Sequence, residues 1–155
     1  MTVLENSIRI DAPPEKVWAV LTSLEALQNY DPGVTRSEII SVAREGIGAA
    51  RECHLAPGGS FKERVAEWLP GEALAFELFE CTLPVKTLRH RYTFAAEEGG
   101  TRVRQRMEYE LNMGALGWLL DALFVRRRWD AGIKGFFSGL KRYVETGGAP
   151  PAKAA

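Results

Sequence analysis

The chain opens on an alternation. Ile8 and Ile10 place apolar side chains on one side of a strand, with Arg9 on the other. Pro13 and Pro14 then stop it. A residue before proline is held extended, so Ala12 and Pro13 both stay out of the helical region and no helix begins before Pro14. Proline suits the first helical position, where its missing N–H forfeits no bond. Glu15 sits near the positive end of the helix dipole, and Val17, Trp18, Val20 and Leu21 supply an apolar face. Ser23 is placed to cap a second short helix carrying Leu24, Leu27 and Tyr30, which Asp31-Pro32-Gly33 terminates.

Beyond this point, as far as residue 112, the apolar period falls from about 3.6 to 2. The pattern predicts strands over residues 35–44, 49–56, 60–69, 73–82, 86–96 and 101–111, seven with the first one. Gly46 and Gly48, Pro57-Gly58-Gly59, Pro70-Gly71, Pro84 and Gly99-Gly100 separate them, and connections this short imply antiparallel neighbours. In the last strand Val103, Gln105, Met107, Tyr109 and Leu111 share a face opposite Arg102, Arg104, Arg106, Glu108 and Glu110. In the strand before it, Leu88, His90, Tyr92 and Phe94 lie opposite Arg89 and Arg91. One face of the sheet is therefore wet and the other needs a cover. Residues 115–146 provide it: Trp118, Ala122, Val125, Trp129, Ile133, Phe136, Leu140 and Val144 form one stripe at helical spacing. Thirty helical residues reach about 45 Å, enough to cross a sheet.

The start of that helix carries a second apolar line, Leu116, Leu119, Leu120 and Leu123, which becomes Arg127, Asp130 and Lys134 further along. A surface helix shows one stripe. The second line reads as the wall of a cavity mouth hinged at Gly114 and Gly117, as a face for a homodimer or a membrane surface, or as plain core. Arg126-Arg127-Arg128 reads as a solvated face beside Asp130.

Composition narrows the field. With 155 residues the chain makes one domain, over residues 1–146, and the Gly/Ala/Pro-rich tail 147–155 is expected to be disordered. A net charge of zero argues against nucleic acid as a partner. Cys53 and Cys81 form no C-x-x-C pair, which suggests neither a disulfide nor a zinc site and fits free thiols in the cytoplasm. No apolar run approaches the ~18–20 residues of a membrane span, so integral insertion is not expected, and no leader segment is legible. His54 and His90 lack metal-binding spacing, and the glycine pairs sit between strands, so neither a metal, a phosphate loop nor any other cofactor is expected.

The segments "IRIDAPPEKVWAVLTSLEALQNYDPGV", "FKERVAEWLPGEALAFEL" and "RRRWDAGIKGFFSGLKRYVE" together resemble the START/Bet v 1-like (SRPBCC) superfamily, and within it the polyketide cyclase/dehydrase and lipid-transport group. The resemblance covers nearly the whole chain. It implies an α+β helix-grip fold: a seven-stranded curved antiparallel sheet around a long C-terminal helix, with two short helices after the first strand. It also implies an internal cavity. The Pro-Pro turn would then let the two short helices plug the gap between sheet and long helix.

Within such a hollow, Phe61, Glu63 and Val65 point inward, or the strand is inverted and Arg64 and Trp68 do. The resemblance places the family's cavity-facing acid at Glu63. Arg51 shares a face with Cys53 and Leu55, where it either neutralises Glu63 or reaches water at the strand end. His90 and Tyr92, beside Gln105 and Met107, offer acid–base and phenolic chemistry, or form ordinary core. Ser60 and Cys53 have no legible activating partner, so no catalytic residue is assigned; His90, Tyr92 and Glu63 are the candidates. Leu74, Phe76, Leu78, Leu120 and Leu123 complete the expected lining. The expected function is binding of a hydrophobic small molecule, such as a lipid, polyketide or quinone. The alternatives are a polyketide cyclase or aromatase with cyclase/dehydratase-like activity, and a co-chaperone or stress-type interaction module using the Leu116–Leu123 surface.

Overall fold

The computed structural model describes residues 1–148. Strand β1 (Thr2–Ile10) leads into α1 (Pro14–Thr22), which starts at Pro14, and then into a 3-10 turn over Leu24–Asn29. Strands β2 (Val34–Ile39), β3 (Ala50–Leu55), β4 (Ser60–Leu69), β5 (Ala73–Cys81), β6 (Val85–Glu97) and β7 (Gly100–Leu111) follow. The C-terminal helix comes in three pieces: α2 (Gly114–Leu120), a π turn over Asp121–Val125, and α3 (Arg126–Glu145). The seven strands form one antiparallel sheet in the order β1-β7-β6-β5-β4-β3-β2, so the first strand closes against the last. This is the helix-grip arrangement, with α3 lying across the inner face.

The core sits between that face and the helices. From α3 it takes Ile133, Phe136, Phe137, Leu140 and Val144; from α1, Val17 and Leu21; from the 3-10 turn, Leu24 and Leu27. Gly139 lets α3 approach the main chain of Tyr30 so closely that a Cβ there would overlap the Tyr30 carbonyl.

Several expectations need correction. Strand β2 ends at Ile39, not residue 44, because residues 41–48 form an irregular loop in which Gly46 and Gly48 take φ of 82° and 88°. Ser23 holds the N-cap position without a side-chain bond; its carbonyl accepts the N–H of Ala26 instead (3.0 Å). Of the expected stripe on the long helix, Trp118 and Ala122 are exposed, and burial begins with Val125 and Trp129. The π turn inserts extra chain and rotates the upstream part, so Gly117 and Asp121 take the inward positions there. Gly147 and Gly148, assigned to the tail, close the helix: their N–H groups bond the carbonyls of Val144 (3.3 Å) and Tyr143 (2.7 Å). The rest of the expected tail lies outside the described residues.

Candidate functional site

Register builds a polar belt across the inner face. Arg51 on β3 pairs directly with Glu63 on β4, Phe76 on β5 with His90 on β6, and Tyr92 on β6 with Gln105 on β7. All six side chains are buried. Of the two orientations considered for β4, each holds for part of the strand. A bulge between Val65 and Glu67 switches the alternation, so Glu63 and Val65 face the core and Trp68 does as well, packing edge-on against Trp18 at 5.1 Å. Arg64 stays exposed.

The belt is hydrogen-bonded end to end. Arg51 donates through Nε to Glu63 Oε1 at 2.8 Å, with Nη2 at 2.6 Å from the same oxygen. The guanidinium lies 4.6 Å above the Phe76 ring, and that ring stacks on His90 at 5.2 Å. His90 Nε2 is 2.7 Å from Glu63 Oε2, and its Nδ1 is 3.0 Å from the Tyr92 hydroxyl. Gln105 Nε2 donates to that hydroxyl at 2.9 Å. Because the Tyr92 oxygen already accepts from Gln105, its own proton is free for His90 Nδ1. An ionised carboxylate can only accept, so His90 Nε2 carries a proton and donates it to Glu63.

Two atoms at the edge of this belt have no partner. Gln105 Oε1 and Tyr30 Oη are buried and unbonded, two of three such side-chain atoms among the described residues. Tyr30 comes from the end of the 3-10 turn. Its ring lies 5.7 Å from Phe136, which lies 5.9 Å from Tyr92, so both tyrosines flank one phenylalanine of α3.

Electrostatics keep the belt charged at one end and neutral at the other. Burial pushes the Glu63 carboxyl up, but the Arg51 guanidinium and His90 outweigh it and bring the pKa down to about 2. Burial works against the charge on Arg51, and Glu63 more than restores it. Burial pushes the hydroxyls of Tyr30 and Tyr92 well up, so both remain neutral donors. Burial likewise raises the Cys53 thiol to about 11, which makes it a poor nucleophile.

Other expected lining residues divide by height along the sheet. Val65 and Leu74 are buried; Phe61, Leu78 and Met107 are partly buried toward the end of the sheet where α2 begins. Leu120 is partly buried, and Leu123 is half exposed, because the inward positions of that segment belong to Gly117 and Asp121. Leu123 therefore does not line the interior.

Sequence reasoning misses three features. Tyr30 reads there only as core. Asn6, opposite Gln105 on β1, extends the belt to α3 by donating to Asp130 at 3.0 Å. Asp121 is buried and accepts from Thr2 Oγ1 (2.5 Å) and from the Tyr109 hydroxyl. It is the one charge in the run Met113–Val125, a signal that was legible. Two concavities lie away from the belt's centre. One of about 560 Å³ lies between the end of β7 and α2, beside Thr2, Tyr109, Trp118 and Asp121. The other, about 380 Å³, is on the outer face among Glu5, Arg91, Arg104 and Arg106. Glu38, Glu52 and His54 on the outer face lie close enough to share an ion, although Arg36 already pairs with Glu38.

Residues 1–145 match the family described as polyketide cyclase/dehydrase and lipid transport. The chain belongs to that family. Among solved structures, TTHA0849 from Thermus thermophilus is similar at 26% identity and a TM-score of 0.81, over 96% of this chain and all of that one (100%). A START superfamily protein from Mycobacterium smegmatis aligns at 12% identity and a TM-score of 0.75, covering 93% of this chain and 97% of its own. The di-domain ARO/CYC protein StfQ of the steffimycin biosynthetic pathway aligns at 15% identity and a TM-score of 0.78, over 93% of this chain and 51% of that one. The last two likenesses show the fold alone. Among curated proteins none matches the chain by sequence. Membership in the polyketide cyclase/dehydrase and lipid transport family agrees with hydrophobic ligand binding or cyclase chemistry at this coarse level. No helix among the described residues is long and apolar enough to cross a membrane.

Proposed function

We propose that the protein holds a hydrophobic small molecule with a hydroxyl-bearing head between the sheet and α3. The observation that carries this reading is the pair of unpartnered buried atoms, Gln105 Oε1 and Tyr30 Oη, beside an otherwise satisfied polar belt. A buried polar atom left without a bond costs about 1–3 kcal/mol, and a guest that supplies the bond recovers it. Gln105 Oε1 can only accept, so its partner must be a donor such as a phenol, enol or alcohol. Tyr30 Oη can bond a second polar atom of a guest, as donor or acceptor. Apolar neighbours such as Phe76, Phe136, Val65 and Leu74 supply the remaining contact, in the usual division of labour between apolar lining and a few orienting polar groups.

A proton-transfer reading rests on a separate observation. His90 is held between a carboxylate and a phenol at hydrogen-bond distance on both nitrogens. That arrangement fixes the ring's orientation and gives a cyclase-type reaction a route for a proton through Tyr92. Folding of a flexible chain against the belt would supply the rest by proximity.

Calorimetric titration with 2-naphthol and with naphthalene tests the binding reading. The expected result is roughly tenfold tighter binding of 2-naphthol, one hydrogen bond's worth, with the difference abolished in Gln105→Leu. Equal affinities, or no binding of either compound, would overturn it.

A further inference from the structure

The first part of the C-terminal helix is inside out. Across Met113–Val125 the single charged residue, Asp121, is the buried one. The outer surface is apolar: Trp118 is 73% exposed and Phe124 66%, while Leu116, Leu119 and Leu123 are each about half exposed. The π turn produces this inversion. It keeps Gly117 and Asp121 toward Thr2 and Tyr109, and so turns Leu119 and Leu123 to the opposite side. Met113 and Leu83 extend the patch, since the β5–β6 and β7–α2 connections meet where the Asn112 N–H bonds the Pro84 carbonyl at 3.0 Å. A contiguous apolar surface of this kind marks a contact site.

The next turn says what the contact is. Arg126, Arg127 and Arg128 follow immediately, all exposed. No ion pair holds them among the described residues, while Asp130 beyond them is engaged by Lys134 at 2.5 Å. Apolar side chains that face outward, bordered along the helix by free cations, are the composition of an element that lies in the headgroup region of an anionic bilayer. A protein partner would need acidic groups set against the arginines and a shaped apolar groove. An anionic bilayer supplies phosphates at every position and an apolar depth of no fixed shape, so arginine stems can extend toward phosphates while leucine, tryptophan and phenylalanine enter the acyl boundary. We infer that the Met113–Arg128 face docks this protein on anionic membrane surfaces, with the helix lying in the interface plane.

The test is sedimentation of the full chain with phosphatidylcholine vesicles, with and without phosphatidylglycerol. Expected is binding to the anionic vesicles only, weakening as salt is raised. Leu119→Ser/Leu123→Ser should reduce the partition at least tenfold through lost apolar contact. Arg126→Gln/Arg127→Gln/Arg128→Gln should reduce it by a further independent factor, on the order of a hundredfold. These positions are exposed, so unchanged circular dichroism is expected in every variant. Val42→Ser, at the opposite end of the sheet, should leave binding unchanged. No binding to anionic vesicles, or equal binding by the variants, overturns the inference. So does a wild-type dimer that Leu119→Ser/Leu123→Ser splits while vesicle binding is absent, since the face would then belong to a second copy of the chain.

Discussion

Arg51→Met isolates the energetics on which the polar belt depends. Arg51 and Glu63 are 4% and 2% exposed, so neither charge has water to fall back on. Removing the guanidinium deletes two close contacts to Glu63 Oε1, at 2.8 and 2.6 Å, and the cation over Phe76. The carboxylate is left with His90 alone. Stranding a buried charge in this way costs about 3–5 kcal/mol. In a chain of this size that lowers the melting temperature by roughly 10 °C. Glu63→Gln strands the arginine instead and should cost a similar amount. The double substitution strands nothing, because the new amide oxygen can still accept from His90 Nε2 and methionine fills the arginine's volume. It should return to within about 2 kcal/mol of the wild type. Urea unfolding of all four proteins, with matching denaturant slopes, gives the cycle directly. Additive single costs, with a coupling below about 0.5 kcal/mol, would refute the claim that the two charges stabilise each other in a dry site.

Three further outcomes follow from the same geometry. Tyr30→Phe removes an unpartnered buried hydroxyl; thermal melts of the ligand-free protein should show a gain of about 1 kcal/mol, and a loss would mean that the hydroxyl is bonded. Glu63 has its folded pKa depressed to about 2, so its stabilising contribution is present above the ordinary carboxylate pKa of roughly 4.3 and is lost as pH falls toward 2. The stability gap between wild type and Glu63→Gln, on the order of 3 kcal/mol near neutrality, should close over that window; a gap independent of pH there would count against the assignment. Gly139→Ala drives a methyl into the Tyr30 carbonyl; urea unfolding should show a loss of about 3 kcal/mol, and a change under about 0.5 kcal/mol would show that α3 can move away freely.

Local pattern carried much of this architecture. Alternation is a property of adjacent residues, so β4, β6 and β7 were legible as strands, and His90, Tyr92 and Gln105 were legible as sharing the inner face. The Pro-Pro stop and the start of α1 at Pro14 were equally local, since both are steric consequences of one or two residues. What the sequence left open were the events that depend on distant chain. The orientation of β4 stayed ambiguous because a single bulged residue reverses its alternation, and a bulge is set by the partner strand β5. Tyr30 reaches the belt only because the sheet, the 3-10 turn and α3 close around it; nothing near residue 30 announces Phe136 as a neighbour. The π turn has no local signature either. It is decided by Asp121 finding Thr2 and Tyr109, 119 and 12 residues away along the chain, and that choice turns the leucines outward. Short-range periodicity selects elements and faces; the bonds made across the closed fold select which side chains meet.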